Sequence, residues 1–432
     1  MARAMTETSA LPTIAARPAN TLPRLLPHVD TRGLGPFLDY FGARPRGSRA
    51  LIAEVEQAGL RGHGGAGFPT ATKLAAVARG RRSSVVVVNA TEGEPMSTKD
   101  KALCAIAPHL LLDGAALAAE AVGAREIIVC AERHARTTLE HLQRAIRERA
   151  SYATDKIPMR LEAAPSRYVG GEESALVHWL NGGDAKPTFV PPRPFEKGVG
   201  GRPTLVQNAE TLAHLALIAR FGAGWFRGLG TSADPGSSLV TASGAFDQPG
   251  VYEIPLGLPL RDMLSSAGGS LDATRAVLIG GYFGGWLGVD DARLLTLDGT
   301  TLRNAGSAFG CGVIVAFPHT ACGLKESARV ARWLANENAG QCGPCMNGLP
   351  AIAHAMEVLV AGDRSRNAQA HLDRWLGMVQ GRGACKHPDG TARFVASSLV
   401  TFADEIEDHR RGRCRRDHST RILATPTPGG WR

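Results

Sequence analysis

The chain has 432 residues, enough for about three domains at roughly 150 residues each. Hydrophobic residues make up 44% and charged residues 21%, an ordinary globular balance that excludes disorder as the main state. The net charge is +9, but aromatics at 6% offer little for base stacking, and no apolar run nears the ~18 residues of a membrane helix. Nucleic-acid binding and direct membrane insertion are therefore not expected. Residues 1–47, rich in Pro, Arg and Thr, read as a loose N-terminal extension without the apolar core of a secretory signal. Eight cysteines in such a chain suit a reducing, cytoplasmic setting and metal or redox use.

From Ser48 a helical period begins, with Leu51, Val55 and Leu60 near one face. A glycine-rich loop follows, Arg61-Gly62-His63-Gly64-Gly65-Ala66-Gly67-Phe68-Pro69-Thr70. Strands are expected at 84–89, 126–130 and 157–162, and helices at 108–122 and 137–149. This alternation implies a parallel sheet with right-handed crossovers, so residues 48–232 form an α/β domain. Over 236–319 short apolar stretches alternate with Gly and Pro, which reads as a small β-rich domain with one short helix. Residues 320–410 carry four amphipathic faces, marked by Val330 and Trp333, Leu349 and Met356, Leu372 and Val379, and Val395 and Ile406. They predict a four-helix bundle. The basic tail, 411–432, reads as a solvated end or as a docking surface for an acidic partner.

Three constellations carry chemistry. In the first, glycines bring backbone N–H groups close to a phosphate and Lys73 adds a point charge; alone, the loop is equally a tight turn. The second is acidic: Asn89 to Pro95 after the first strand, with Glu92, and Tyr168 to Ser174, with Gly171, Glu172 and Glu173. Carboxylates at strand ends suit ribose hydroxyls, and Glu172-Glu173 suit a helix N-terminus equally well. The third is Gln341-Cys342-Gly343-Pro344-Cys345 with Cys385 beyond. Buried thiols, a redox disulfide, a zinc site and an iron–sulfur cluster all remain open on spacing alone.

Together, in this order, these motifs resemble the flavin-binding subunit of NADH:quinone oxidoreductase of the respiratory complex I type. Residues 59–70, 89–95, 108–112, 168–175, 202–211, 249–257 and 340–345 carry the likeness. The resemblance implies a Rossmann-like FMN domain, a small β-grasp domain of the soluble ligand-binding type, and a helical domain bearing a 4Fe-4S cluster. By position it implies a flavin lined by Gly62, Gly64, Gly65, Gly67, Lys73, Asn89, Glu92, Tyr168, Gly171, Glu172, Asn208 and Thr211. Phe68 and Glu173 would meet the nicotinamide nucleotide, NADH or NADPH, and Glu92 and Glu173 would position the reacting rings. Cys342, Cys345 and Cys385 would be metal ligands. An electron-transfer subunit would take the electrons, with the chain peripheral to a membrane complex; a flavoprotein with a non-NADH donor such as ferredoxin, or a degenerate docking subunit, is the alternative.

Several positions depart from the family pattern. Ala339 stands where the family has the first cluster cysteine, so the cluster could be 4Fe-4S, 3Fe-4S or absent. Solvent, Glu337, His387 and Cys322 are candidates for the missing ligand. Ala76 and Arg193 replace aromatic residues of the adenine platform, Thr91 an aspartate and Gln207 an asparagine. Arg193 also suits a 2′-phosphate.

Overall fold

The computed structural model describes residues 24–432 except 81, 366, 417, 418 and 420; residues 1–23 of the expected extension lie outside them. The rest of that extension is not loose. Leu25 and Leu26 are buried, and so is Phe37 of helix α1 (Leu34–Phe41). The Glu253 carboxylate accepts the backbone N–H groups of Arg24, Leu25 and Leu26 at 2.9, 2.8 and 3.3 Å. One distant carboxylate thus satisfies three backbone donors, a contact with no local pattern to announce it.

Helix α2 (Ala50–Ala58) ends at Gly59, whose φ of 72° supplies the left-handed cap, and α3 (Thr70–Ala78) begins at the far end of the glycine loop. The first layer continues through β1 (Ser84–Ala90), α4 (Lys99–Ile106), α5 (Pro108–Val122), β2 (Ala124–Glu132), α6 (Arg136–Ser151) and β3 (Met159–Ala164). It closes with α7 (Glu173–Leu180), β4 (Thr204–Asn208) and α8 (Ala209–Arg227). All four strands run parallel in the order β3-β2-β1-β4. Val85 to Val88 are fully buried, because helices cover both faces. On one side lies α5, where Leu110, Leu111, Leu112 and Leu117 are each fully buried, a gain of about 1.5–3 kcal/mol apiece. Gly114 of α5 admits the α8 backbone, since any Cβ there would overlap the Leu212 carbonyl.

The second layer comprises β5 (Ser237–Gly244), β6 (Gly250–Pro255), α9 (Leu260–Ser266), β7 (Thr274–Ile279), β8 (Gly285–Gly288), α10 (Val289–Ala292), α11 (Gly299–Asn304) and β9 (Val313–Pro318). Its order is β6-β5-β9-β7-β8, with an antiparallel β5/β6 hairpin and β9 parallel to β5. This is the β-grasp arrangement, with two short helices beyond the one expected.

The third unit holds α12 (Gly323–Asn336), α13 (Leu349–Val360), α14 (Asn367–Val379), α15 (His387–Thr401) and α16 (Ala403–Arg410). The fourth expected helix is broken at Phe402, where φ is −113°. The tail is not a solvated end. Residues 421–432 run back over the fold: Trp333 Nε1 donates to Pro426 O at 2.7 Å, and Ala185 N to Trp431 O at 2.8 Å. Among the described residues no single helix is long and apolar enough to cross a membrane.

Candidate functional site

The chain leaves β1 toward β2 and β3 on one side, whereas β4 joins β1 on the other. Such a reversal opens a crevice at the carboxyl ends of the strands, where open α/β sheets hold ligands. Asn89 and Asn208 face each other in register at those ends. Asn208 caps α8: its Oδ1 accepts from Glu210 N at 3.0 Å, and its Nδ2 donates to Asp100 Oδ2 at 2.6 Å. Asn89 ties two loops together, accepting from Thr91 N at 3.1 Å and donating to Gly171 O at 2.7 Å.

The glycine loop bends over this crevice. Gly62 N donates to Phe68 O at 2.9 Å and Thr70 N to Leu60 O at 3.0 Å, closing its base. His63 N donates to Thr211 Oγ1 at 2.9 Å, which docks the loop on the α8 N-terminus. Gly64 lets the loop approach closely, as a Cβ there would lie 3.3 Å from Asn208 Cβ. Gly65 and Gly67 hold φ of 104° and 60°. Among the described residues, the N–H groups of Gly64, Gly65 and Ala66 have no backbone acceptor. Free N–H groups beside a helix N-terminus fit a phosphate-bearing cofactor such as FMN. Phe68 is 53% exposed at the rim. Lys73 reaches across to Glu173, Nζ to Oε2 2.5 Å, a pair open to solvent at the mouth.

The acidic residues divide by role. Glu172 caps α7, accepting from Ser174 N at 2.9 Å and Ala175 N at 3.1 Å, and burial raises its pKa. Glu92 accepts from Ser97 Oγ at 2.6 Å and from Asp100 N at 3.1 Å, so its carboxylate is turned to the start of α4. Tyr168 faces the domain junction: its ring lies 4.9 Å from Phe283, 5.2 Å from Trp333 and 5.8 Å from His387. Its hydroxyl donates to Glu94 Oε2 at 3.1 Å. Burial pushes the Glu94 carboxyl up to about 7, against hydrogen bonds from Tyr282 N and Met96 N.

A buried charge network that no sequence motif announces lies beneath the crevice. Lys99 Nζ lies 2.8 Å from Asp100 and 2.7 Å from Glu210, with all three side chains nearly sealed from water. Burial disfavours the Lys99 charge, but Asp100, Glu210 and Glu92 overcome this and raise its pKa. Glu210 is held below the usual carboxylate range by Lys99 and His63 in spite of burial. The one available signal is the Lys99-Asp100 pair opening a helix just after the Glu92-Gly93-Glu94 turn.

Cys342, Cys345 and Cys385 lie together. Cys345 is buried, and burial together with the nearby Cys342 and Cys385 thiols raises its pKa; Ala339 N donates to its sulfur. Burial also raises Cys385, with Glu172 among the neighbouring charges, so the thiols border the flavin domain. Three thiols gathered about the turn Pro344–Gly348, with Cys342 just before it and Cys345 within it, fit three ligands of an iron–sulfur cluster. Ala339 is buried beside them and offers none. Of the candidate substitutes, Glu337 is engaged by Tyr168 N at 2.9 Å and by Arg167 at 3.2 Å. Cys322 is engaged elsewhere, its sulfur 3.3 Å from Glu405 Oε2 and 3.2 Å from His409 Nε2. His387 is buried and its Nε2–H donates to Leu334 O at 2.8 Å, while its Nδ1 has no hydrogen-bond partner among the described residues.

Comparison with known proteins agrees with this geometry. Residues 55–217 match the Nuo51 FMN-binding domain family, and residues 325–409 the NADH-ubiquinone oxidoreductase-F iron-sulfur binding region. The F subunit of the NADH-quinone oxidoreductase of Streptomyces coelicolor is 32% identical over 374 residues, covering 84% of this chain and 83% of its own. That of Mycobacterium bovis is 33% identical over 389 residues, covering 84% and 85%. An NAD+-reducing [NiFe]-hydrogenase in the H2-reduced state superposes with a TM-score of 0.79 at 31% identity, over 88% of this chain and 67% of that one. With its motifs, its fold and most of its length in common with these relatives, the chain belongs to the family of NADH-quinone oxidoreductase F subunits.

Proposed function

We propose that this chain is the NADH-oxidising, FMN-binding subunit of a larger electron-transfer assembly. Residues 48–232, 236–319 and 320–410 are taken as its flavin, β-grasp and cluster domains. The observation that carries the reading is the crevice between β1 and β4, where unpartnered glycine N–H groups meet the capped N-terminus of α8. Bound FMN supplies the conversion between a two-electron hydride and single electrons.

The chain's own residues bind and orient. Gly62, Gly64, Gly65 and Gly67 with Asn89, Gly171, Asn208 and Thr211 form the cradle. Glu173 at the mouth accepts ribose hydroxyls of the nicotinamide nucleotide once Lys73 releases it, and the exposed Phe68 ring offers a stacking face. Glu92, Glu172 and Tyr168 act indirectly by holding α4, α7 and the domain junction. Cys342, Cys345 and Cys385 hold the iron–sulfur cluster, and an electron-transfer subunit accepts the electrons. The chain sits peripherally in that assembly.

Anaerobic addition of NADH to the FMN-loaded chain should bleach the flavin band. A protein that takes up no FMN overturns the proposal. Arg193 is exposed on its loop, its N–H bound to Glu196 at 2.7 Å, so NADPH is the alternative donor; equal or faster bleaching by NADH removes it. Ala339 favours a second reading, a docking subunit without a cluster. Iron and sulfide in the purified chain eliminate that reading.

A further inference from the structure

We propose that Cys322, His409 and Cys414 bind a zinc ion that clasps the C-terminal strap onto the helical domain. Their three ligand atoms lie within 4.8 Å of one another, with Cys322 Sγ 3.2 Å from His409 Nε2. Ligands about 2.0–2.3 Å from one tetrahedral zinc stand roughly 3.3–3.8 Å apart, so only a small contraction is required. Two sulfurs and one imidazole form a soft donor set that selects zinc over magnesium or calcium.

The surroundings suit a metal. His409 Nδ1 lies 2.7 Å from the Val360 carbonyl, so this nitrogen carries the proton and donates it. The Nε2 lone pair is thereby aimed at Cys322, as in metal-bound histidines whose second nitrogen is anchored. Cys322 caps α12, where its sulfur accepts from Lys325 N at 3.4 Å while its own S–H donates to Glu405. Glu405 Oε2 accepts from Cys322 Sγ at 3.3 Å and from Leu324 N at 2.8 Å, so a water molecule would complete the tetrahedron. Zinc binding forms two Zn–S bonds and one Zn–N bond and releases two thiol protons to solvent. Arg275 and Arg416, 3.1 and 3.5 Å from Glu405 Oε1, offset the remaining negative charge. The other candidate group, His63, Glu210 and His214, is already occupied by a cation, the Lys99 ammonium 2.7 Å from Glu210.

The clasp has a mechanical consequence. Beyond Cys414 the chain crosses all three units. Ile422 N and Leu423 N donate to Glu326 at 3.0 and 2.9 Å, Tyr282 OH to Ala424 O at 2.5 Å, and Arg167 Nη1 to Gly429 O at 3.2 Å. Zinc would fix the start of this strap, next to the helical domain and far from the Cys342 group.

The test is metal analysis of the full-length chain purified under reducing conditions without chelators. About one zinc per chain is expected, falling at least tenfold in Cys414→Ser and in His409→Ala. The double variant Cys342→Ala/Cys345→Ala should lose iron and keep the zinc. Hydrogen exchange over 421–432 should quicken in Cys414→Ser while α5 stays protected. If the variants do not fold, zinc should still protect the half-buried Cys414 of the unaltered chain from alkylation. No zinc after equilibration with excess zinc chloride, zinc that follows Cys342 and Cys345 alone, or no protection overturns the proposal.

Discussion

Gly171→Ala should loosen the flavin crevice without unfolding the chain. A Cβ at this position lies 2.6 Å from Thr91 Oγ1 and 3.0 Å from Thr91 O on the opposing loop. The carbonyl is backbone, and the hydroxyl is itself held by Asn89 Oδ1 at 2.5 Å, so neither swings aside freely. The two loops must therefore part by several tenths of an ångström, stretching the 2.7 Å bond from Asn89 Nδ2 to Gly171 O. Overpacking of this kind costs about 1–3 kcal/mol. Falling on the crevice, that cost weakens FMN binding by roughly 5–150-fold. Quenching of FMN fluorescence on titration reads the affinity, and a circular-dichroism melt run in parallel reads the fold. Thr91→Ala removes the shorter contact and leaves the longer, so the double variant should recover about 1 kcal/mol relative to the sum of the singles. Binding by Gly171→Ala within twofold of the parent, or strictly additive singles, would refute the reasoning.

Lys73→Met breaks a partly exposed ion pair, which contributes only about 0–1 kcal/mol to stability. Its melting temperature should barely move while FMN binding, read by fluorescence titration, weakens tenfold or more, because the point charge that lines the flavin is gone; the reverse pattern contradicts that role. Burial raises the Glu253 carboxyl to about 7, so the native chain binds a proton there that the unfolded chain releases above its ordinary value near 4.5. Its contribution to stability is full below that unfolded value and is lost as pH rises through about 7. Glu253→Gln keeps an acceptor for the three N–H groups and should gain on the order of 3 kcal/mol relative to the parent between pH 5 and pH 8. A stability difference independent of pH would count against the buried proton. Ala339→Cys supplies a thiol beside Cys345 and should raise the bound iron and its resistance to air; unchanged iron would mean the thiols are not arranged for a cluster.

Much of the first layer is legible in the sequence because its signals are local. Val85 to Val88 form a continuous β-branched run, and Pro108 and Gly123 bracket a helix that is buried almost throughout. The β-rich character of 236–319 follows from its short apolar stretches, whereas its β-grasp order comes only with the family resemblance. What stays hidden depends on long-range partners. Residues 24–26 look featureless until Glu253 collects their N–H groups, and the tail looks solvated until Arg329, Trp333 and Arg167 receive its carbonyls. At the site, the pattern singles out Glu92 and Tyr168 but not which way they face. Both carry motifs shared with the family, yet their side chains serve the α4 terminus and the domain junction. Lys99 and Glu210 go unmarked because buried ion pairs leave no periodic trace.

The account rests on the crevice between β1 and β4 being the flavin site, and a high-resolution map of the FMN-saturated chain tests this most directly. It should show one isoalloxazine nucleotide bounded by the Gly62–Gly67 loop, Asn89 and Asn208. Density for FMN elsewhere, with this crevice left empty, would contradict it.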